Sequence, residues 1–90
     1  MSLEEYRKEI DRINEDIAEL VAERMEVVEK IGEFKKEKGM DIKDEGREEI
    51  VKEQFADIFS SKNLSKDKGR KLAETLIGMA VKEEKEVKDK

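Results

Sequence analysis

The chain has no cysteine, no histidine and no proline, and among its 90 residues only five glycines, one Tyr and three Phe. Without cysteine there is no disulfide and no thiolate nucleophile; without histidine there is no imidazole triad and no ordinary zinc site. Chemistry here must run on Arg, Lys, Asp, Glu and Ser, and nothing in the pattern asks for a metal or a cofactor. No apolar run approaches the roughly 20 residues that span a bilayer. No positively charged, then apolar, N-terminal stretch marks secretion, so the expected location is the cytoplasm. Scarce aromatics and a net charge of −5 leave neither a stacking platform nor a basic footprint for nucleic acid.

What the chain does have is charge. Half its residues are charged, 25 acidic against 20 basic, with the signs interleaved as on solvated helix faces tied by i, i+4 pairs. Only 36% of residues are apolar, so residues 1–90 are expected to form a single domain that buries little by itself. Period-two alternation between turn residues is missing, which argues against strands. The expected architecture is all-α, with one long helix and two shorter ones.

The long helix runs from Leu3 to Lys38. Leu3, Tyr6, Ile10, Ile13, Ile17, Leu20, Val27, Ile31 and Phe34 keep a three-four rhythm along one seam, and at position 24, where the rhythm asks for an apolar side chain, stands Arg24. A helix of that length measures roughly 50 Å, whereas a compact chain of this size has a radius of gyration of about 12 Å. A second copy is therefore expected to cover the seam, giving an intertwined antiparallel homodimer.

Gly39, after Lys35, Lys36 and Lys38, is a C-terminal stop for this helix. Gly32 lies inside it, where close approach of another backbone would be one reason to keep a glycine. Asp44 is an N-cap for a second helix carrying Ile50, Val51, Phe55, Ile58 and Phe59 on one face. The run Ser60 to Asn63 breaks the pattern. Leu64 and Ser65 then open a third helix with Leu72, Ala73, Leu76, Ile77, Ala80 and Val81 inward. Beyond Val81 the composition turns to Lys and Glu and the end is expected to fray.

Polar residues on apolar stripes carry the functional signal. Arg24 and Lys35 are eleven residues apart, within about 20° of one direction and roughly 16 Å along the axis, so both side chains can lean toward one small anion. Arg7 lies about 25 Å from Arg24 in its own chain. If two antiparallel copies cross near residue 18, Arg7 of one faces the gap between Arg24 and Lys35 of the other. Glu48 and Glu84 also fall on apolar stripes, and a buried carboxylate is costly unless paired or protonated. Each residue has a plainer reading. Arg24 serves equally as a snorkelling or register residue, Arg7 and Lys35 as surface charges, Glu48 as a charge at a helix N-terminus, and Glu84 as a solvated residue near a frayed end. The residues by themselves leave open an anion-binding helical dimer and a purely structural one.

In order along the chain, Leu3-Glu4-Glu5-Tyr6-Arg7-Lys8-Glu9-Ile10-Asp11, Ala22-Glu23-Arg24, Ile31-Gly32-Glu33-Phe34-Lys35 and Asp44-Glu45-Gly46-Arg47-Glu48 resemble the all-helical class of chorismate mutases. The resemblance covers nearly the whole chain, at the family's intervals. It implies the rearrangement of chorismate to prephenate, in phenylalanine and tyrosine biosynthesis, without cofactor or metal. It further implies that Arg24 and the partner's Arg7 bind substrate carboxylates, that Lys35 contacts a carboxylate and the ether oxygen, and that Asp44 and Glu48 surround the ring hydroxyl with Arg47 in support. Where the family has Ser and then Gln or Glu on helix three, this chain has Ala80 and Glu84. Arg24, Lys35 and Glu84 are thus the expected catalytic residues. Glu45 replaces the usual proline and loses only a helix-start preference. Ala80 removes a hydroxyl contact, and Glu84 can donate to an ether oxygen only when protonated. Two other functions stay in view, an isochorismate pyruvate lyase-like enzyme and a non-catalytic dimerisation module.

Overall fold

A computed structural model describes the whole chain, Met1–Lys90, as three helices and no strand: α1 Leu3–Lys38, α2 Glu45–Ser61 and α3 Lys66–Lys88. A side chain caps each start. Ser2 accepts from the N–H of Glu5, Asp44 from that of Arg47, and Ser65 from that of Lys68, each satisfying a donor the helix leaves free. Gly39 ends α1 at φ 64°, in the left-handed region that glycine enters without penalty. None of the helices is long and apolar enough to cross a membrane.

α3 is the hub, since α1 and α2 each lie against it and not against one another. The result is a slab of 54 × 25 × 14 Å with a radius of gyration of 16.1 Å, little thicker than a single helix with its side chains. Its interior consists of Val28 from α1, Val51 and Ala56 from α2, and Ala73, Leu76, Ala80 and Val87 from α3.

The long seam stays uncovered. Every residue from Leu3 to Leu20 is exposed, and Val21 is the first that is even partly covered. In the second half of α1 the face turned to α3 is Val21, Met25, Val28 and Gly32, while Val27, Ile31 and Phe34 remain exposed. α1 therefore carries two apolar stripes side by side, of which the chain itself uses one. Ile50, Ile58 and Leu72, expected inward, are also exposed.

Two glycines set the helix spacings. A Cβ on Gly69 would lie 2.6 Å from the carbonyl oxygen of Phe55, so α2 and α3 touch backbone to backbone there. A Cβ on Gly32 would lie 3.2 Å from both the Glu84 Cα and the Val87 Cβ. That notch corrects the expectation of a frayed end: α3 continues to Lys88, with Glu84 and Val87 buried against α1. An exposed Arg70–Glu53 pair at 3.0 Å spans α2 and α3. The hydrogen bond from Arg70 holds the Glu53 carboxyl below its ordinary range, and that carboxylate in turn raises Arg70.

Gly78, by contrast, has nothing within 4 Å of a Cβ position. Gly69→Ala should destabilise the chain by roughly 1–3 kcal/mol through overpacking, while Gly78→Ala should gain up to about 1 kcal/mol of helix propensity. Urea unfolding of both variants checks this, and a Gly69→Ala chain as stable as the parent would rule out the close crossing.

Candidate active site

Three helix faces converge on one cavity of about 260 Å³. α1 contributes Arg24, Val28, Ile31 and Lys35, the connector Ile42, and the start of α2, with its cap, Asp44, Arg47, Glu48 and Val51. α3 closes it with Ile77, Ala80, Val81 and Glu84. Within each helix each of these positions has another three or four residues away, so each set lies on a single face by helical geometry alone. All the residues expected at the site except Arg7 border this cavity.

The cations are tethered. Lys35 Nζ donates to the carbonyl oxygen of Ile42 at 2.7 Å, and Arg24 Nη1 donates across to that of Leu76 on α3 at 3.3 Å. Lys35 Nζ also lies 2.7 Å from Glu84 Oε1, with the two side chains only 16% and 8% exposed. Contact between these charges is close but misaligned, for Oε1 is buried without accepting a hydrogen bond. Glu84 is thus an ion-paired carboxylate with an unused acceptor, not the solvated residue that a frayed end would leave.

The second carboxylate, Glu48, is half-buried and pairs with Lys43 at 3.2 Å. Asp44 spends Oδ1 on the N–H of Arg47. The Arg47 side chain borders the cavity with no carboxylate within 4.0 Å. Ala80 is buried and apolar in the wall. With Lys35 and Lys43 matched to Glu84 and Glu48, Arg24 and Arg47 are the guanidiniums left to meet an anion. Planar guanidiniums suit carboxylates because they can donate two parallel hydrogen bonds.

Arg7 stands apart on the uncovered half of α1, 63% exposed and paired with Glu4 at 2.9 Å. Two participants were not foreseen. Ile42 acts through its backbone carbonyl, which no side-chain pattern reveals. Lys43 acts on Glu48 across the α2 cap, a five-residue spacing outside the helical i, i+3 and i, i+4 rules.

The profile of the family described as chorismate mutase type II matches residues 6–85, a span that runs from just before Arg7 to just beyond Glu84. A chorismate mutase of Methanocaldococcus jannaschii is 32% identical over 75 residues, covering 83% of this chain and 76% of that relative. No solved structure matches significantly.

The Lys35–Glu84 pair generates a stability test. Lys35→Met leaves a buried carboxylate without its counter-charge and should cost about 3–5 kcal/mol at neutral pH. Most of the loss should return in Lys35→Met/Glu84→Gln, which removes the stranded charge. Urea unfolding of all three chains at pH 7 measures this. A double variant no more stable than Lys35→Met would mean that the lost counter-charge is not what destabilises the single variant.

Proposed function

The chain belongs to the type II chorismate mutase family and converts chorismate to prephenate, and we propose that it does so as a single cytoplasmic domain paired head to tail with a second copy. Arg24, Lys35, Asp44, Arg47, Glu48, Ala80 and Glu84 of one protomer then form each site with the partner's Arg7. What carries this reading is the convergence of three helix faces, bearing tethered cations and three carboxylates, on one cavity.

The reaction breaks an ether C–O bond and forms a C–C bond within one molecule. It needs no nucleophile and no external proton acceptor, only a substrate held with its enolpyruvyl group over the ring. Arg24 and the partner's Arg7 bind the two carboxylates and fix that geometry, converting binding into orientation. As the C–O bond lengthens, negative charge grows on the ether oxygen. Donors aimed at that atom stabilise the transition state more than the bound substrate.

Lys35 is one such donor. It has three N–H groups, so it can keep Ile42 and still reach the substrate. Glu84 is the other, once protonated: an ether oxygen placed between the two side chains takes an N–H from Lys35 and an O–H from Glu84. Asp44 and Glu48 lie around the ring hydroxyl, whose single O–H is donated to one of these carboxylates, and the backbone N–H of Arg47 positions Asp44. Ala80 offers no hydrogen bond, so the carboxylate beside α3 relies on arginine.

Surface area supports the pairing. The chain exposes 7065 Å², whereas a compact monomer of this mass exposes about 5,400 Å². The excess, of order 1,600 Å² per chain, matches what a protomer contributes to an obligate dimer interface. The exposed apolar residues include Ile10, Ile13 and Ile17, on the half of α1 that carries Arg7.

Following chorismate loss by absorbance, with isochorismate assayed in parallel, tests the activity; turnover of isochorismate alone would sink the reading. Glu84→Gln should keep activity, since an amide N–H can donate to the ether oxygen, while Glu84→Ala should lose about 10²–10³-fold in kcat. Wild-type kcat in Glu84→Ala would refute the donor role.

The shared site has its own test. Arg7→Ala and Arg24→Ala should each lose about 10²–10³-fold in kcat/KM, and mixing the two inactive proteins should restore part of the activity as subunits exchange. No recovery despite verified exchange would overturn a site completed by the partner's Arg7.

A further inference from the structure

A second cleft, of about 390 Å³, opens between α2 and α3 with no contribution from α1. It shares Glu48, Ile77 and Val81 with the cavity described above, so the same three side chains separate the two spaces. Its rim inverts the charge of the molecule. Lys43, Lys52, Lys82 and Lys85 line it against only Glu48 and Glu74, although the chain as a whole carries −5.

The arrangement is not one that stability favours. Lys82 and Lys85 stand one turn apart on α3, neither with a carboxylate within 4.0 Å, and like charges at that spacing repel. At the other end of the same helix pair the signs are complementary, Arg70 facing Glu53. Gly78 lines the cleft as well. A glycine in mid-helix lowers stability, and here no neighbouring atom requires one, because the space over it is the cleft itself. Between the two spaces stands Glu48, held by Lys43, whose side chain is 60% exposed at the rim.

From these observations we propose that the lysine-lined cleft is the route by which the dianionic substrate reaches the cavity, with the Lys43–Glu48 ion pair as its door. Lys82 and Lys85, which have no carboxylate partner, together with Lys43 and Lys52, which pair with Glu48 and Glu49, attract a dicarboxylate to an otherwise acidic surface. On arrival, the dianion competes with Glu48 for Lys43, and release of that pair joins the cleft to the cavity. This rests on the chorismate mutase reading, which identifies the substrate as a dianion.

The test compares kcat and kcat/KM for wild type, Lys82→Gln/Lys85→Gln, Gly78→Leu and a charge-matched control, Lys62→Gln/Lys71→Gln, across ionic strength. Removing two charges about 10 Å from a dianion should lower kcat/KM by roughly tenfold at ~10 mM salt and by about twofold to threefold at ~150 mM, with kcat unchanged. The control should change far less at every salt concentration. Gly78→Leu should fold at least as well as wild type, since leucine is the better helix former, yet lose kcat/KM several-fold at all ionic strengths by filling the cleft. If either cleft variant keeps the wild-type kcat/KM, or if kcat falls in step with it, the route is wrong. A wild-type chain that turns over no chorismate fails earlier and differently, taking the underlying reading with it.

Discussion

A 36-residue helix followed by helices of 17 and 23 residues cannot be enclosed by its own chain, and this mismatch governs everything else about the molecule. α3 is the only element beside α1, and it reaches only the second half. There it uses Val21, Met25, Val28 and Gly32 and leaves the seam of Val27, Ile31 and Phe34 exposed. Isolated helices are marginal in water and most helical stability comes from tertiary burial, yet the chain itself supplies none for its first 20 residues. In the proposed pairing, the association that buries Ile10, Ile13 and Ile17 is also the one that delivers the partner's Arg7, so folding and assembly of the site become one event.

The cavity inherits its rigidity from the same geometry. Arg24 is tied by a hydrogen bond to the backbone carbonyl of Leu76 and to no carboxylate, whereas Lys35 is tied both to the carbonyl of Ile42 and to the Glu84 carboxylate. A carbonyl holds a cation in place without cancelling its charge, which leaves the charge available to a ligand. Electrostatic catalysis depends on such dipoles and charges being oriented before the reaction begins. The carboxylates follow the opposite logic, for Glu48 and Glu84 are each paired to a lysine, which in the proposed site the substrate shares or displaces.

Much of this was legible in the residues, because helices announce themselves locally. Ser65, Asp44 and Gly39 mark boundaries through capping chemistry that needs only neighbours in sequence, and Arg24 and Lys35 share a face by arithmetic. What the residues could not reveal depends on contacts between segments. The stripe through Val28 and Gly32 lies beside a more regular apolar seam, and only the position of α3 decides which of the two the chain buries. The last turns of α3 look like a solvated Lys/Glu tail until Gly32 opens a notch for Val87 and Glu84. Ile42 and Lys43 escaped notice because one acts through its backbone and the other across a cap.

Glu84 is where stability and chemistry meet. A glutamine there would be a ready donor to an ether oxygen at any pH, but it would leave the Lys35 ammonium, 16% exposed, without a counter-charge in the empty site. A glutamate neutralises that ammonium and helps hold α3 against α1 while the cavity waits, at the cost of needing a proton before it can donate. In a chain with so little interior, where the buried set holds no large side chain that is fully enclosed, an interhelical ion pair weighs more than it would in a well-filled core. The choice of carboxylate over amide thus has a reason in the empty site: the residue proposed to assist the reaction is also the counter-charge of a buried ammonium when no substrate is bound.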